Sequence, residues 1–335
     1  MSLRAWPLLL VIPAALVLLS GSATRALGRS DRAKLSGKTF VVTGASSGIG
    51  RGAAMELGRS GANVVIAARR SDALESLAAE IRSAGGTVLV VPTDVADAAQ
   101  MQHMLEQALD HFGPIDGWIN NAGVAVIGRF EDIPLEDHLR LLDTNLKGTV
   151  TGSHLALKQF REQGYGTLVN VASVDSEVPH AYQASYSASK AGVMMLGRVL
   201  NEELRLHRER NIHVSTVLPW ALDTPLWDHV GNHTGHAARL PTMDGPEKAV
   251  NAIVRAYLHP KEEVTVGYKA KLAYWSHRLA PDLNERLSGA AIKKGQIEMN
   301  PCAPATSGNL HAPVEAGQGM DGGIRDRMRH ETGPV

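Results

Sequence analysis

Cysteine is all but missing from this chain: of 335 residues only Cys302 carries a thiol, in a polar stretch near the C-terminus. No intramolecular disulfide can form, and nothing in the sequence speaks of a protein built for an oxidising compartment. Excess charge is missing too. Thirty-four Lys and Arg balance 34 Asp and Glu, which removes the basic surplus that would point to nucleic acid. What remains is an ordinary globular composition, 44% hydrophobic and 20% charged, long enough for one large domain or two small ones.

Long apolar runs are also lacking, with one exception. From Ala5 to Leu19 no residue is charged, and weakly polar residues continue to Ala23. The run is at the short end for a membrane span, which takes ~20 apolar residues. It also suits the h-region of a signal peptide cleaved at Ala23 or Ala26. Only Arg4 precedes it, whereas Arg25, Arg29, Arg32 and Lys34 follow. The positive-inside rule then favours an uncleaved anchor with the rest of the chain in the cytoplasm. A secreted or periplasmic protein after cleavage is the alternative.

Beyond a basic linker, strands and helices alternate. Apolar runs at Lys38–Thr43, Asn63–Ala68, Thr87–Pro92, Gly117–Asn121, Gly166–Ala172 and His213–Leu218 read as buried strands. Amphipathic stretches between them, among them Leu74–Ala84, Gln100–His111, Leu135–Asn145, Thr151–Gln163 and Tyr186–His207, read as helices. Continuous Val/Ile-rich runs spaced in this way predict an α/β fold, a parallel sheet of about seven strands covered on both faces. The expected organisation is an anchor or signal over 1–23, a linker over 24–36 and one α/β domain over 37–270. An amphipathic extension over 271–294 and a disordered Gly/Pro-rich tail over 295–335 complete it.

Two motifs carry chemistry. The first strand runs into Thr43-Gly-Ala-Ser-Ser-Gly-Ile-Gly50. Glycines at 44, 48 and 50 permit a tight turn and close approach of a pyrophosphate to a helix N-terminus, as in doubly wound Rossmann-type domains. The second motif is Tyr186-Ser-Ala-Ser-Lys190. Tyr and Lys four apart share one helical face, and an ammonium beside a phenol of pKa about 10 lowers that value toward the working range. Either motif alone is weak, since glycines also serve plain turns and a Tyr/Lys pair also decorates solvated helices.

Together with Asn120-Asn-Ala-Gly123, Asn145 and Ser173, the order and spacing resemble the short-chain dehydrogenase/reductase family across about 230 residues. The resemblance implies a tetrad. Tyr186 would exchange a proton with the substrate oxygen, and Lys190 would lower its pKa and hold the cofactor ribose. Ser173 would hydrogen-bond the substrate oxygen, and Asn145 would anchor a water linking Lys190 to solvent. It implies cofactor contacts from Gly44, Ser46, Ser47, Gly48, Ile49 and Gly50, from Asp94 and Val95, from Asn121, Ala122 and Gly123, and from Pro219, Leu222 and Thr224. The second strand ends in Ala67-Ala68-Arg69-Arg70 without the carboxylate that selects NAD. Arg69 could instead pair with a 2′-phosphate, which favours NADP over NAD.

Where the family has Pro-Gly after the sixth strand, this chain has Pro219-Trp220. A bulky residue is costly if that position needs a positive φ, so a reshaped loop is expected, with the Trp220 indole lining the substrate pocket. Trp227, Leu222 and Leu226 would complete an apolar lid. His229, His233 and His236 stand close in sequence, the first pair at i, i+4, but only Asp228 could join them, and no metal is expected. Lys269 to Leu287 mixes basic and apolar residues. It reads either as a helix resting on a membrane or as one packed on the domain's own edge.

The function expected is an NADP-dependent oxidoreductase of a small lipophilic carbonyl or alcohol, membrane-anchored, possible as a homodimer or homotetramer, with no nucleic-acid partner. The alternatives are an NAD-linked dehydrogenase working oxidatively and a scaffold that binds the dinucleotide without turnover. An intact tetrad counts against the scaffold.

Overall fold

The structure, a computed structural model, describes residues 23–332. The apolar run Ala5–Leu19, and with it the expected anchor, lies outside the described residues. Among them no helix is long and apolar enough to cross a membrane.

Seven parallel strands form one sheet in the order β3-β2-β1-β4-β6-β7-β9. They are β1 (Thr39–Thr43), β2 (Asn63–Ala68), β3 (Thr87–Pro92), β4 (Gly117–Asn120), β6 (Gly166–Val171), β7 (Ile212–Pro219) and β9 (Glu263–Val266). Two-residue strands β5 (Val126–Ile127) and β8 (Gly231–Asn232) pair separately. Side chains alternate across the sheet, as a strand's period of two requires. Phe40, Val42, Val64 and Ile66 join one buried cluster with Leu57 and Ile253, while Val41, Val65 and Trp118 join another with Met104 and Phe160. Both faces are therefore covered, which accounts for strands that read as unbroken apolar runs.

The helices occupy the expected places. Those flanking the sheet are α2 (Gly48–Arg59), α3 (Ser71–Ser83), α4 (Ala98–Phe112), α5 (Leu135–Leu142), α6 (Gly148–Gln163), α7 (Ala184–Leu206) and, after the four-residue α8 (Leu226–His229), α9 (Glu247–Leu258). Signals at their ends are local: Asp97 caps α4 by accepting from the amides of Ala99 and Gln100, and Gly164 closes α6 at φ +84.

Three segments differ from expectation. The basic linker holds a short helix, α1 (Arg29–Leu35), docked by the fully buried Leu35 and by Arg255 on Asp31 at 2.9 Å. The strand β9 was not singled out in the sequence, because Glu263-Val-Thr-Val266 is short and alternates in burial. The tail expected to be disordered is ordered: after α10 (Gly267–Leu279), α11 (Pro281–Ile292) and a π-helical turn to Glu298, the chain runs back over the domain to α12 (Ile324–Thr332). It has no apolar period, but its backbone finds partners on the domain surface. Helix α10 does two things at once. Ala270 and Tyr274 pack inward, and Tyr268, Leu272, Trp275 and Leu279 form an exposed apolar stripe.

At the end of the sheet away from the glycine turn, Asp116 clasps three strands. Its carboxylate accepts from the Thr39 amide (2.9 Å) and from Lys38 (3.0 Å), its own amide donates to Thr39, and its carbonyl accepts from Thr167. Leaving the buried Thr39 amide without a partner costs about 1–3 kcal/mol. Asp116→Ala should therefore lower the urea midpoint at unchanged slope, and an unmoved midpoint would show that the clasp contributes nothing.

Candidate active site

Strand β1 ends at Thr43, whose hydroxyl donates to the Ile119 carbonyl and accepts from the amides of Asn121 and Ala122 at 3.0 and 3.2 Å. The Asn121 side-chain amide donates to the carbonyls of Thr43 and Gly44. This clasp leaves no room for side chains. A Cβ on Gly44 would fall 2.6 Å from the Ala122 Cα, and one on Gly50 would fall 2.2 Å from Asn121 Nδ2. Gly44 and Gly48 also hold φ of +67 and +58, which only glycine adopts cheaply. The turn therefore opens the N-terminus of α2 to a cleft, a cradle suited to a dinucleotide's pyrophosphate.

Of the residues nominated from the sequence, all but Gly50 and Asn145 line that one cleft. Gly50 lies behind the turn. Asn145 sits in a π-helical segment (Asp143–Lys147) between α5 and α6, fully buried, at the kind of helix irregularity often found beside functional groups. Its side chain is engaged with protein rather than set toward solvent. It exchanges hydrogen bonds with the amide and carbonyl of Val124 and donates to Ser189 Oγ, which in turn donates to the Tyr186 carbonyl.

Tyr186 and Lys190 lie one turn apart on α7. The Lys190 ammonium is 5.7 Å from the Tyr186 ring centroid and donates to the Val171 carbonyl at 2.9 Å. The expected lowering of the phenol is reversed in the chain by itself. Protein packed round the Tyr186 hydroxyl, and then the charge of Asp175, push its pKa up, while its hydrogen bond with Ser173 pulls the other way. Burial likewise pushes Lys190 down to about 8, Asp175 opposing. The low-dielectric pocket favours both neutral forms. Ser173 accepts from the Asp175 amide at 3.1 Å, which leaves its hydroxyl proton for the Tyr186 oxygen or for a substrate oxygen that takes its place.

At the far end of the cleft the sequence pointed to Arg69 and missed its neighbours. Arg70 donates to Ser46 Oγ at 3.1 Å, and Arg140 pairs with Asp94. Burial lowers the pKa of both Arg69 and Arg70, and their neighbouring cations lower it further. Arg70 could have been found from its adjacency to Arg69. The tail residues Asn309, Pro313 and Val314, which also line the cleft, had no such signal.

At the substrate end, Trp220 packs against Val174, Val178 and Ala270 and donates to the Thr242 carbonyl, and Trp227 donates to the Leu222 carbonyl. Among described non-glycine residues only Tyr182 and Arg208 have positive φ, so Trp220 fits its loop without backbone strain. The same end also has a polar group, which the sequence did not show. His180 contacts Asp175, Gln183 and Gln296, and although burial opposes it, Asp175 holds the imidazole pKa above its usual value. The three lid histidines have separate partners: His229 the Ala316 carbonyl, His233 Asp137, His236 the Asn300 carbonyl. Among the described residues no cluster is placed to hold a metal ion.

The sequence profile described as short chain dehydrogenase matches residues 38–234. An uncharacterized oxidoreductase of Bacillus subtilis, YxnA, is 32% identical over 293 residues, 86% of this chain and 80% of the relative. The 3beta-hydroxysteroid dehydrogenase 1 of Eggerthella lenta is 38% identical over 196 residues, 57% of this chain and 73% of the relative. The X-ray structure of an alcohol dehydrogenase from the archaeon Thermococcus sibiricus, complexed with 5-hydroxy-NADP, has a TM-score of 0.58 at 26% identity, covering 69% of this chain and 94% of its own. With the glycine turn, the Tyr186/Lys190 pair and this sheet order in one molecule, the chain belongs to the short-chain dehydrogenase/reductase family, oxidoreductases of CH–OH groups that bind NAD(P).

Proposed function

We propose that the protein interconverts a carbonyl and an alcohol on a lipophilic small molecule, with Tyr186 as proton donor and acceptor and NADP(H) as cofactor. The observation that carries this reading is the pairing of Tyr186 and Ser173 at the apolar end of the cleft, with Lys190 behind them. A substrate oxygen seated between the two hydroxyls accepts a hydrogen bond from Ser173 and, in reduction, a proton from Tyr186. The nicotinamide, when bound, supplies or takes the hydride. The raised phenol pKa keeps Tyr186 protonated until that oxygen becomes basic. Lys190 faces the ring and offsets charge developing on it, and Asn145 steadies the first turn of α7 through Ser189.

Trp220, Leu222, Leu226 and Trp227 support an apolar substrate body. His180 and Asp175 support a polar group near the reacting carbon. Arg69, Arg70 and Ser46 support a 2′-phosphate, since charged fork-shaped donors suit phosphate better than a neutral ribose hydroxyl. The apolar run of the N-terminus, exposed Arg25, Arg29 and Lys34, and the stripe on α10 support attachment at a membrane face, which the cofactor would place in the cytoplasm.

Tyr186→Phe should lower kcat by about 10²-fold or more while leaving cofactor affinity nearly unchanged. Lys190→Ala should weaken cofactor binding as well. A phenylalanine variant with most of its turnover intact would remove Tyr186 from the reaction.

NADP(H) should bind more tightly than NAD(H), and Arg69→Asp or Arg70→Ala should cost NADP(H) on the order of 1.5–3 kcal/mol and narrow or reverse its preference over NAD(H). Equal dissociation constants for the two in the unaltered protein would sink the cofactor assignment.

The full-length protein should sediment with membranes, resist salt and yield to detergent, whereas a chain beginning at Lys34 should stay in the supernatant and still bind cofactor. A mature protein starting at Thr24 or Leu27 would show instead a cleaved signal.

A further inference from the structure

The donors that a dinucleotide's phosphates would need are already engaged, and by one segment. Arg69 donates to the carbonyls of Asn309 and Leu310, the latter at 3.0 Å, and Arg70 donates to those of Val314 (2.9 Å) and Ala316 (3.2 Å). The Gly48 amide, at the N-terminus of α2, donates to the Gly319 carbonyl at 2.9 Å. These acceptors are all main-chain oxygens of residues 309–319, laid along the phosphate end of the cleft. The cavity left measures about 270 Å³, below the ~300–1,000 Å³ of clefts that enclose even drug-sized ligands.

We infer that the C-terminal segment is an intramolecular occupant of the phosphate end of the cleft, which the incoming dinucleotide displaces, and that this competition favours a cofactor bearing a 2′-phosphate. The inference rests on the NADP reading above for its selectivity and on geometry alone for displacement.

Charge decides the selectivity. Arg69 and Arg70 lean on neutral carbonyls and the Ser46 hydroxyl, and the carboxylate whose field reaches Arg69, Asp94, is itself paired with Arg140. The segment satisfies the guanidinium hydrogen bonds but not their charge. A phosphate does both: it accepts in the same fork geometry and adds an attraction between opposite charges that a neutral carbonyl lacks. A ribose hydroxyl exchanges one neutral acceptor for another and gains little over the segment it must move.

The segment's side chains are fastened at both ends, Leu310 among them although its carbonyl meets Arg69, so the stretch between can lift without those side chains letting go. On one side the fully buried Leu310 packs with Val124, Val126, Ile133 and Leu141. Beside it Asp137 takes His311 at 2.7 Å. On the other side Asp223 accepts from the Ile324 and Arg325 amides and from the Arg325 side chain at 2.8–3.0 Å.

The test is amide hydrogen exchange on the full-length protein, alone and saturated with NADP⁺ or NAD⁺, together with both dissociation constants for the unaltered protein, Leu310→Asp and Arg325→Ala. NADP⁺ should raise exchange across residues 308–323. Freeing the segment should tighten NAD⁺ on the order of tenfold and NADP⁺ less, so the preference narrows. Arg325→Ala, a change at the surface, keeps the test informative should Leu310→Asp fail to fold. Protection of residues 308–323 that is unchanged or increased under saturating NADP⁺ would overturn displacement and leave the cofactor assignment standing. Displacement by both cofactors with equal affinities would overturn the selectivity and that assignment together, but not the displacement.

Discussion

The contact on which this molecule depends is the close approach of two strand ends. Thr43 and Asn121 bind each other's backbones where β1 and β4 run side by side, and glycines stand wherever a Cβ would push them apart. That junction sits at the middle of the sheet, where strand order reverses direction, the place where doubly wound folds form their crevice. Because the turn is tied to β4, the amides of α2 are aimed by the sheet itself rather than by a loop. The catalytic end then follows from position: β6 ends beside β4 and delivers Ser173, and α7 returns across it with Tyr186 and Lys190.

The site is built against local comfort. A phenol raised by burial and an amine lowered to about 8 are two groups held where ionisation is disfavoured. Neither is locked in an ion pair, and the neutral phenol keeps its proton until a basic oxygen arrives beside it. Burial acts most strongly on Tyr186, Lys190 and His180, and the charge of Asp175 comes next at each of the three, so one carboxylate links these groups.

Much of this was legible in the sequence, for identifiable reasons. Strands buried on both faces leave unbroken Val/Ile runs, which is why six of the seven strands were placed within a residue or two, whereas β9, half-exposed and four residues long, left no such trace. The glycine turn and the Tyr186/Lys190 spacing were readable because each chemistry demands particular residues at fixed distances. The polar group of His180, Gln183 and Gln296 was not, since Gln296 comes from a distant segment and meets the other two only by folding. The direction of the Tyr186 shift was misread for a related reason. Spacing shows the neighbouring cation but not the burial that outweighs it.

The ordered tail escaped notice for a deeper reason, which bears on how it can change over time. It docks through carbonyl oxygens, and every amino acid supplies the same oxygen. Replacing Asn309, Val314 or Ala316 alters the side chain and keeps the acceptor that Arg69 or Arg70 uses. Apart from the side-chain anchors Leu310, His311 and Arg325, only backbone shape is exacting, as at Gly308 and Gly317, which hold positive φ of +55 and +69. Between those anchors the segment is therefore free to drift in sequence while its docking persists, and relatives can share the same strap with few residues in common.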